Sequence, residues 1–358
     1  MTEDAVTSFH SAPQHGPRPL PLFLDLLRSE TAASPARRAA ALAGLAAYQN
    51  APRPPRPAPM PPVARAGRAC LRDYGGGRGG EGPPVVFVPS LINPPHVLDL
   101  APDNSLLRWI AARGHRTLLV DWGDPTPAER DVDITAHVES LLLPMLRTLD
   151  EPPVLVGYCL GGTLALGGAA ALPVRGVALI AAPWHFARFD DAARADIAAL
   201  WHAAEPACET LGLVPMEVLQ SGFWRLDPAR TIAKFEALAT AAPDALASFV
   251  RLEDWANAGA PLTLAAGRQM FAGFFGADDP GAGRWRIAGT AVDPRALACP
   301  TVDFVSLSDR IVPAASSAGL ADRRELGAGH VGMVVGGRAR PLLWEPLADW
   351  LSTTGVAK

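Results

Sequence analysis

Lysine is almost missing from this 358-residue chain: Lys234 and Lys358 are the only two, and arginine supplies the rest of its 32 basic residues. That substitution is a compositional bias and carries no functional signal. Against 36 acidic residues the formal charge is −4, so there is no concentration of positive charge to meet a phosphate backbone. Nucleic acid is therefore not expected as a partner. Cysteine is scarce and scattered at Cys70, Cys159, Cys208 and Cys299, with no C-x-x-C pair, which leaves out zinc spacing and a redox motif. A reduced, cytoplasmic setting with no metal is expected. The opening MTEDAVTSFHSAPQHGPRP lacks the basic end and apolar run of a secretory signal, so export by that route is not expected. Charge is absent from all 21 positions of Val154 to Val174, a length that could cross a bilayer. Five glycines and Pro173 interrupt that run, which reads instead as a buried strand, a turn and a buried helix, with no membrane span.

What is present is an α/β rhythm bounded by proline and glycine. Residues 1–62 read as an N-terminal helical arm, with a helix starting near Ser34, and a connector, APRPPRPAPMPP, that has seven prolines in twelve residues and favours extended geometry. DYGGGRGGEG (73–82) lacks the Gly-Lys-Ser/Thr and the apolar helix of a phosphate cradle and reads as a flexible loop between two early strands. From residue 84 the strands VVFV, RTLLVDW, PVLVG and GVALIAA alternate with helices. Continuous apolar strands alternating with helices imply a mostly parallel sheet covered on both faces. Residues 63–183 are thus the first part of a core, 184–298 an inserted helical cap rich in tryptophan, and 299–358 the second part, with TVDFVSL and a short strand near RRELG.

Gly157-Tyr158-Cys159-Leu160-Gly161 stands between the strand PVLVG and an apolar helix. G-x-S-x-G at such a junction is the nucleophile elbow of the α/β-hydrolase fold, and here cysteine takes the place of serine. The thiolate is the reactive species, and a helix N-terminus behind a cysteine favours it. A nucleophile needs a base and an orienting acid, which on this fold follow it in that order: acid, then histidine. Asp309, just beyond TVDFVSL, is preferred as acid over Asp303, inside the strand, and Asp322. His330, in GAGHVG, is preferred as general base for its chain order and for small neighbours that let its ring reach the turn. His10, His15, His115, His137 and His202 read as surface or packing residues. An oxyanion hole needs one N–H from the residue after the nucleophile, Leu160, and one from the loop after VVFV, at Ile92 or Asn93.

The segments PSLINPPHVLDLAPDNSLLRWIAARGHRTLLVDWGDP (89–125), GYCLGGT (157–163), SLSDRIVPAASS (306–317) and GAGHVGMVVGG (327–337) resemble the polyhydroxyalkanoate synthases, cysteine-dependent enzymes of the α/β-hydrolase fold. The resemblance implies Cys159 as nucleophile, Asp309 as acid and His330 as base. It implies an (R)-3-hydroxyacyl-CoA substrate, with CoA as the leaving group rather than a bound cofactor, transferred to the thiol and then to a growing polyester. It implies as partners the polyester granule surface and either a second copy of the chain or a second synthase subunit. A thioesterase or intracellular polyester depolymerase with the same triad is the alternative, and a granule-associated binding protein is the non-enzymatic one.

Overall fold

Continuous apolar runs become the middle of one sheet. The computed structural model describes residues 16–53, 58–76 and 82–354. Eight strands form the main sheet: β1 (Pro62–Ala66), β2 (Ala69–Asp73), β3 (Val85–Val88), β4 (Thr117–Asp121), β5 (Val154–Tyr158), β6 (Gly176–Ile180), β7 (Thr301–Ser306) and β8 (Arg323–Leu326). Their order is β1-β2-β4-β3-β5-β6-β7-β8. β2 pairs antiparallel with β1 and β4, and every later pair is parallel. All four residues of β3 and all five of β5 and β6 are buried, as strands covered on both faces must be. This is the α/β-hydrolase fold. Residues 54–57 of the proline-rich connector and 77–81 of the glycine cluster lie outside the described residues; the described flanks run into β1 and β3.

Parallel register decides where the chemistry collects. Val88 stands beside Gly157, Tyr158 beside Ile180, Ile180 beside Phe304, and Ser306 beside Leu326. The loops that leave the carboxyl ends of β3, β5, β7 and β8 therefore emerge along one edge, where ligands bind in open α/β sheets.

The chain folds as two units. Among the described residues, one holds 58–226 and 258–354, which include the sheet; the other holds 16–53 and 227–257. In the second unit, helices Leu20–Glu30, Pro35–Asn50, Pro228–Leu238 and Pro243–Ala256 surround an aromatic cluster, with Phe23 4.8 Å and Phe249 5.3 Å from Phe235. Ser34 caps the second of these helices by accepting from the Arg37 amide, as its position suggested. A Cβ on Gly44 would stand 1.8 Å from the Phe235 carbonyl oxygen, so only glycine lets those two helices approach. Tyr48 donates to Asp254 at 2.6 Å, and Arg53 pairs with the same carboxylate. The stretch 184–298, read as one insertion, is thus divided: residues 227–257 pack with the N-terminal helices and the remainder with the sheet. Apolar periodicity marks a buried helix face but not the partner that buries it.

Candidate active site

Two glycine-tight contacts shape the turn after β5. A Cβ on Gly157 would lie 2.3 Å from Gly162 Cα, and one on Gly161 only 2.0 Å from the Val88 carbonyl oxygen. Both positions must be glycine for strand and helix to meet this closely. Cys159 sits between them at φ 55, ψ −133, a conformation that costs a non-glycine residue about 1–3 kcal/mol. Two hydrogen bonds hold it there: its amide donates to Ile180 O at 2.9 Å, and its carbonyl accepts from Gly162 at 2.8 Å. The result lifts the side chain to the N-terminus of helix α1 (Leu160–Ala171), twelve residues long, where amide hydrogens and the helix dipole face it.

His330, four residues beyond β8, brings its ring to this turn. Its Nδ1 lies 2.6 Å from Asp309 Oδ2, and the ring is close enough to Cys159 for that side chain to act on its proton affinity. The Asp309 side chain is fully buried, and its two oxygens divide their work: Oδ1 accepts from the amides of Ile311 (2.8 Å) and Val312 (3.0 Å), and Oδ2 faces the imidazole. Burial by itself would lower the His330 pKa, but the charges of Cys159 and Asp309 and the hydrogen bonds to both outweigh it and raise it to about 10.

The structure brings together Cys159, Asp309 and His330 and leaves the rival acids elsewhere. Asp303 is enclosed in β7, where burial pushes its carboxyl up to about 7 against the opposing pull of Arg323. Asp322 pairs with Arg324 at 2.8 Å. His137, read as a packing residue, is one: buried beside Arg68, it is pushed down to about 4 by desolvation. Among the described residues no group of three or more His, Cys, Asp or Glu is placed to hold a metal ion, and no helix is long and apolar enough to cross a membrane.

Small neighbours are not what positions His330. A Cβ on Gly327 or Gly329 would meet nothing within 4 Å, so the glycines do not serve to make room for the ring. Instead Ser306, at the end of β7, donates to the Ala328 carbonyl, and Tyr158 stacks on the imidazole with centroids 5.2 Å apart at 28°. The Tyr158 hydroxyl donates to the His330 carbonyl at 3.4 Å. Tyr158 is the site residue that sequence reasoning missed; its only signal was its place beside the cysteine in the elbow.

Of the oxyanion-hole candidates, Leu160 is the first residue of α1. Ile92 lines the same cavity as Cys159, and its amide donates to Ser90 Oγ at 3.2 Å. Asn93 follows it in the loop after β3 and is not among the residues described as lining that cavity. The cavity, of about 100 Å³, opens against Cys159 and Leu160 and is enclosed by Phe186 and Phe189 after β6, by helices α2 (Asp191–Leu211) and α3 (Met216–Leu226), and by the π-helical turn Gln269–Gly276. Among the described residues that line it, none carries a charge or a hydroxyl.

No family model matches this chain. It is similar to the poly(3-hydroxyalkanoate) polymerase subunit PhaC of Haloferax mediterranei, 26% identical over 292 residues that cover 75% of this chain and 58% of that one. It is equally similar to the subunit of the same name from Allochromatium vinosum, 26% identical over 75% of this chain and 80% of that one. The chain thus spans little more than half of one of these curated relatives and most of the other. Among solved structures, the monoacylglycerol lipase of Paleococcus ferrophilus aligns with a TM-score of 0.48 and 15% identity, over 79% of this chain and 98% of that one.

Proposed function

This chain is a distant relative of the polyhydroxyalkanoate synthases, and from that premise we propose that it is an acyltransferase that moves (R)-3-hydroxyacyl groups from CoA through Cys159 to a polyester hydroxyl. The observation that carries the reading is a thiol, in place of a hydroxyl, at the elbow: it faces an apolar cavity and lies beside a histidine that Asp309 holds.

Sulfur suits this reaction because moving an acyl group from CoA to cysteine exchanges one thioester for another and is nearly balanced in free energy. In the proposed first half, Cys159 Sγ attacks the thioester carbonyl carbon, the bond from that carbon to CoA sulfur breaks, and the proton on His330 goes to the departing CoA thiolate. The Leu160 amide, at the head of α1, is the first donor to the oxyanion. The second is Ile92 or Asn93; Ile92 faces the cavity and would exchange its present bond to Ser90 Oγ for one to the substrate. In the second half, His330 takes the proton of an incoming hydroxyl, whose oxygen attacks the Cys159 thioester to form an ester and return the thiol. An apolar enclosure disfavours water as the competing acceptor. Granule attachment and a second copy or subunit as partner belong to this proposal.

The test is to incubate the protein, alone and in cell extract, with (R)-3-hydroxybutyryl-CoA and (R)-3-hydroxyoctanoyl-CoA and to measure CoA release and the fate of the acyl group. Ester-linked polymer, lost in Cys159→Ala, is the expected result. Free hydroxy acid as the sole product overturns transfer in favour of hydrolysis. CoA release that is unchanged in Cys159→Ala overturns the site.

A further inference from the structure

Gly222 is a glycine that the backbone does not require. It lies inside the eleven-residue helix α3 without a positive φ, and a Cβ built on it would have Leu200 Cδ2 as its nearest neighbour, at 3.5 Å. That is ordinary van der Waals contact, so alanine fits. Glycine is nevertheless among the least favourable residues for a helix interior. The two glycines of the elbow are forced by backbone approaches of 2.3 and 2.0 Å; nothing comparable crowds Gly222. What lies beside it is the cavity that reaches Cys159. The space a side chain would take is therefore space left to that cavity.

The walls define what enters. With no charge and no hydroxyl among the described lining residues, phosphates and amides find no side-chain partner away from the Cys159 end, whereas methylene groups lose nothing by leaving water. The cavity volume is about 100 Å³. A cavity of about 150 Å³ takes a ring of six carbons, so this one takes roughly four groups of methylene size. A four-carbon acyl group would leave much of it unfilled.

We infer that the cavity seats the alkyl chain of a medium-length acyl thioester, about six to eight carbons long, and that Gly222 is the residue that determines this length. The inference rests on Cys159 being the acyl acceptor. Each methylene that moves from water into the cavity favours the longer substrate by about fourfold, until the cavity is full.

The experiment follows covalent acylation of Cys159 by intact-protein mass spectrometry and CoA release, with (R)-3-hydroxyacyl-CoA of four, six, eight and ten carbons, on wild type, Gly222→Ala and Gly222→Leu. The wild-type acylation efficiency rises about fourfold per methylene from four to eight carbons. In Gly222→Leu the eight-to-four-carbon ratio falls at least tenfold. Gly222→Ala melts above wild type, because alanine suits the helix, yet its ratio also falls; that combination separates cavity filling from loss of fold. Acylation with a flat length profile, or with the same ratio in all three proteins, overturns this inference and leaves the role of Cys159 standing. Absence of acylation at every length overturns both.

Discussion

Replacing Asp309 with asparagine separates the two tasks of that side chain. Asparagine keeps an acceptor oxygen for the amides of Ile311 and Val312, so the loop beyond β7 retains its shape. Its NH₂ group then faces His330 Nδ1, where a carboxylate oxygen stood at 2.6 Å. Two N–H groups cannot share one hydrogen bond, so the imidazole must turn its Nδ1 lone pair to the amide and carry its proton on Nε2, towards Cys159. It can then no longer accept a proton from the thiol or from an incoming hydroxyl. Any imidazolium that forms has lost its buried counter-charge, and breaking a buried pair in this way costs about 3–5 kcal/mol. At about 1.4 kcal/mol per factor of ten, the expected loss in kcat is roughly 10² to 10⁴. KM changes little, because Asp309 does not line the cavity, although Ile311 and Val312 do. Steady-state release of CoA from a hydroxyacyl-CoA measures both constants, and circular dichroism checks that Asp309→Asn remains folded. A folded Asp309→Asn protein with kcat within threefold of wild type would refute the assignment of Asp309 as the orienting acid.

Two further outcomes follow from the same geometry. Gly161→Ala places a Cβ 2.0 Å from the Val88 carbonyl and 2.6 Å from Pro89, both backbone, so the elbow must open; a loss of stability of several kcal/mol in urea denaturation is expected, and a change below about 1 kcal/mol would contradict the packing described. Cys159→Ala removes the largest of the influences that raise the His330 pKa, and ring-nitrogen NMR should show its titration moving down from about 10. A folded pKa above the ordinary 6.5 contributes stability that is complete below pH 6.5 and lost as pH rises towards 10, so the stability advantage of wild type over Cys159→Ala should shrink across that window. An unmoved midpoint would mean that the thiol does not act on the ring.

Much of this was legible in order along the chain. The strands VVFV, PVLVG and GVALIAA are apolar at every position because both faces of the sheet are covered, and that same pattern marks them in the sequence. The elbow is legible because its glycines answer local crowding, Gly157 against Gly162. Asp309 and His330 are legible because chain order on this fold limits the candidates, and the loop positions after β7 and β8 narrow them further. The grounds for choosing His330 were less sound than the choice: its glycine neighbours are uncrowded, and Ser306 and Tyr158 hold its loop and ring instead.

The sequence by itself determined which segments become strands and where the sharp turn at Cys159 lies, and it singled out the acid and the histidine that the structure brings to that turn, since each depends on local periodicity, local sterics or chain order. Only the tertiary structure decided that residues 227–257 pack with the N-terminal helices, that Tyr158 stacks on His330, and that Gly222 borders the cavity at Cys159. Those facts depend on which surfaces meet between parts of the chain that are far apart in sequence, and an apolar helix face or a lone glycine records that something is close without recording what.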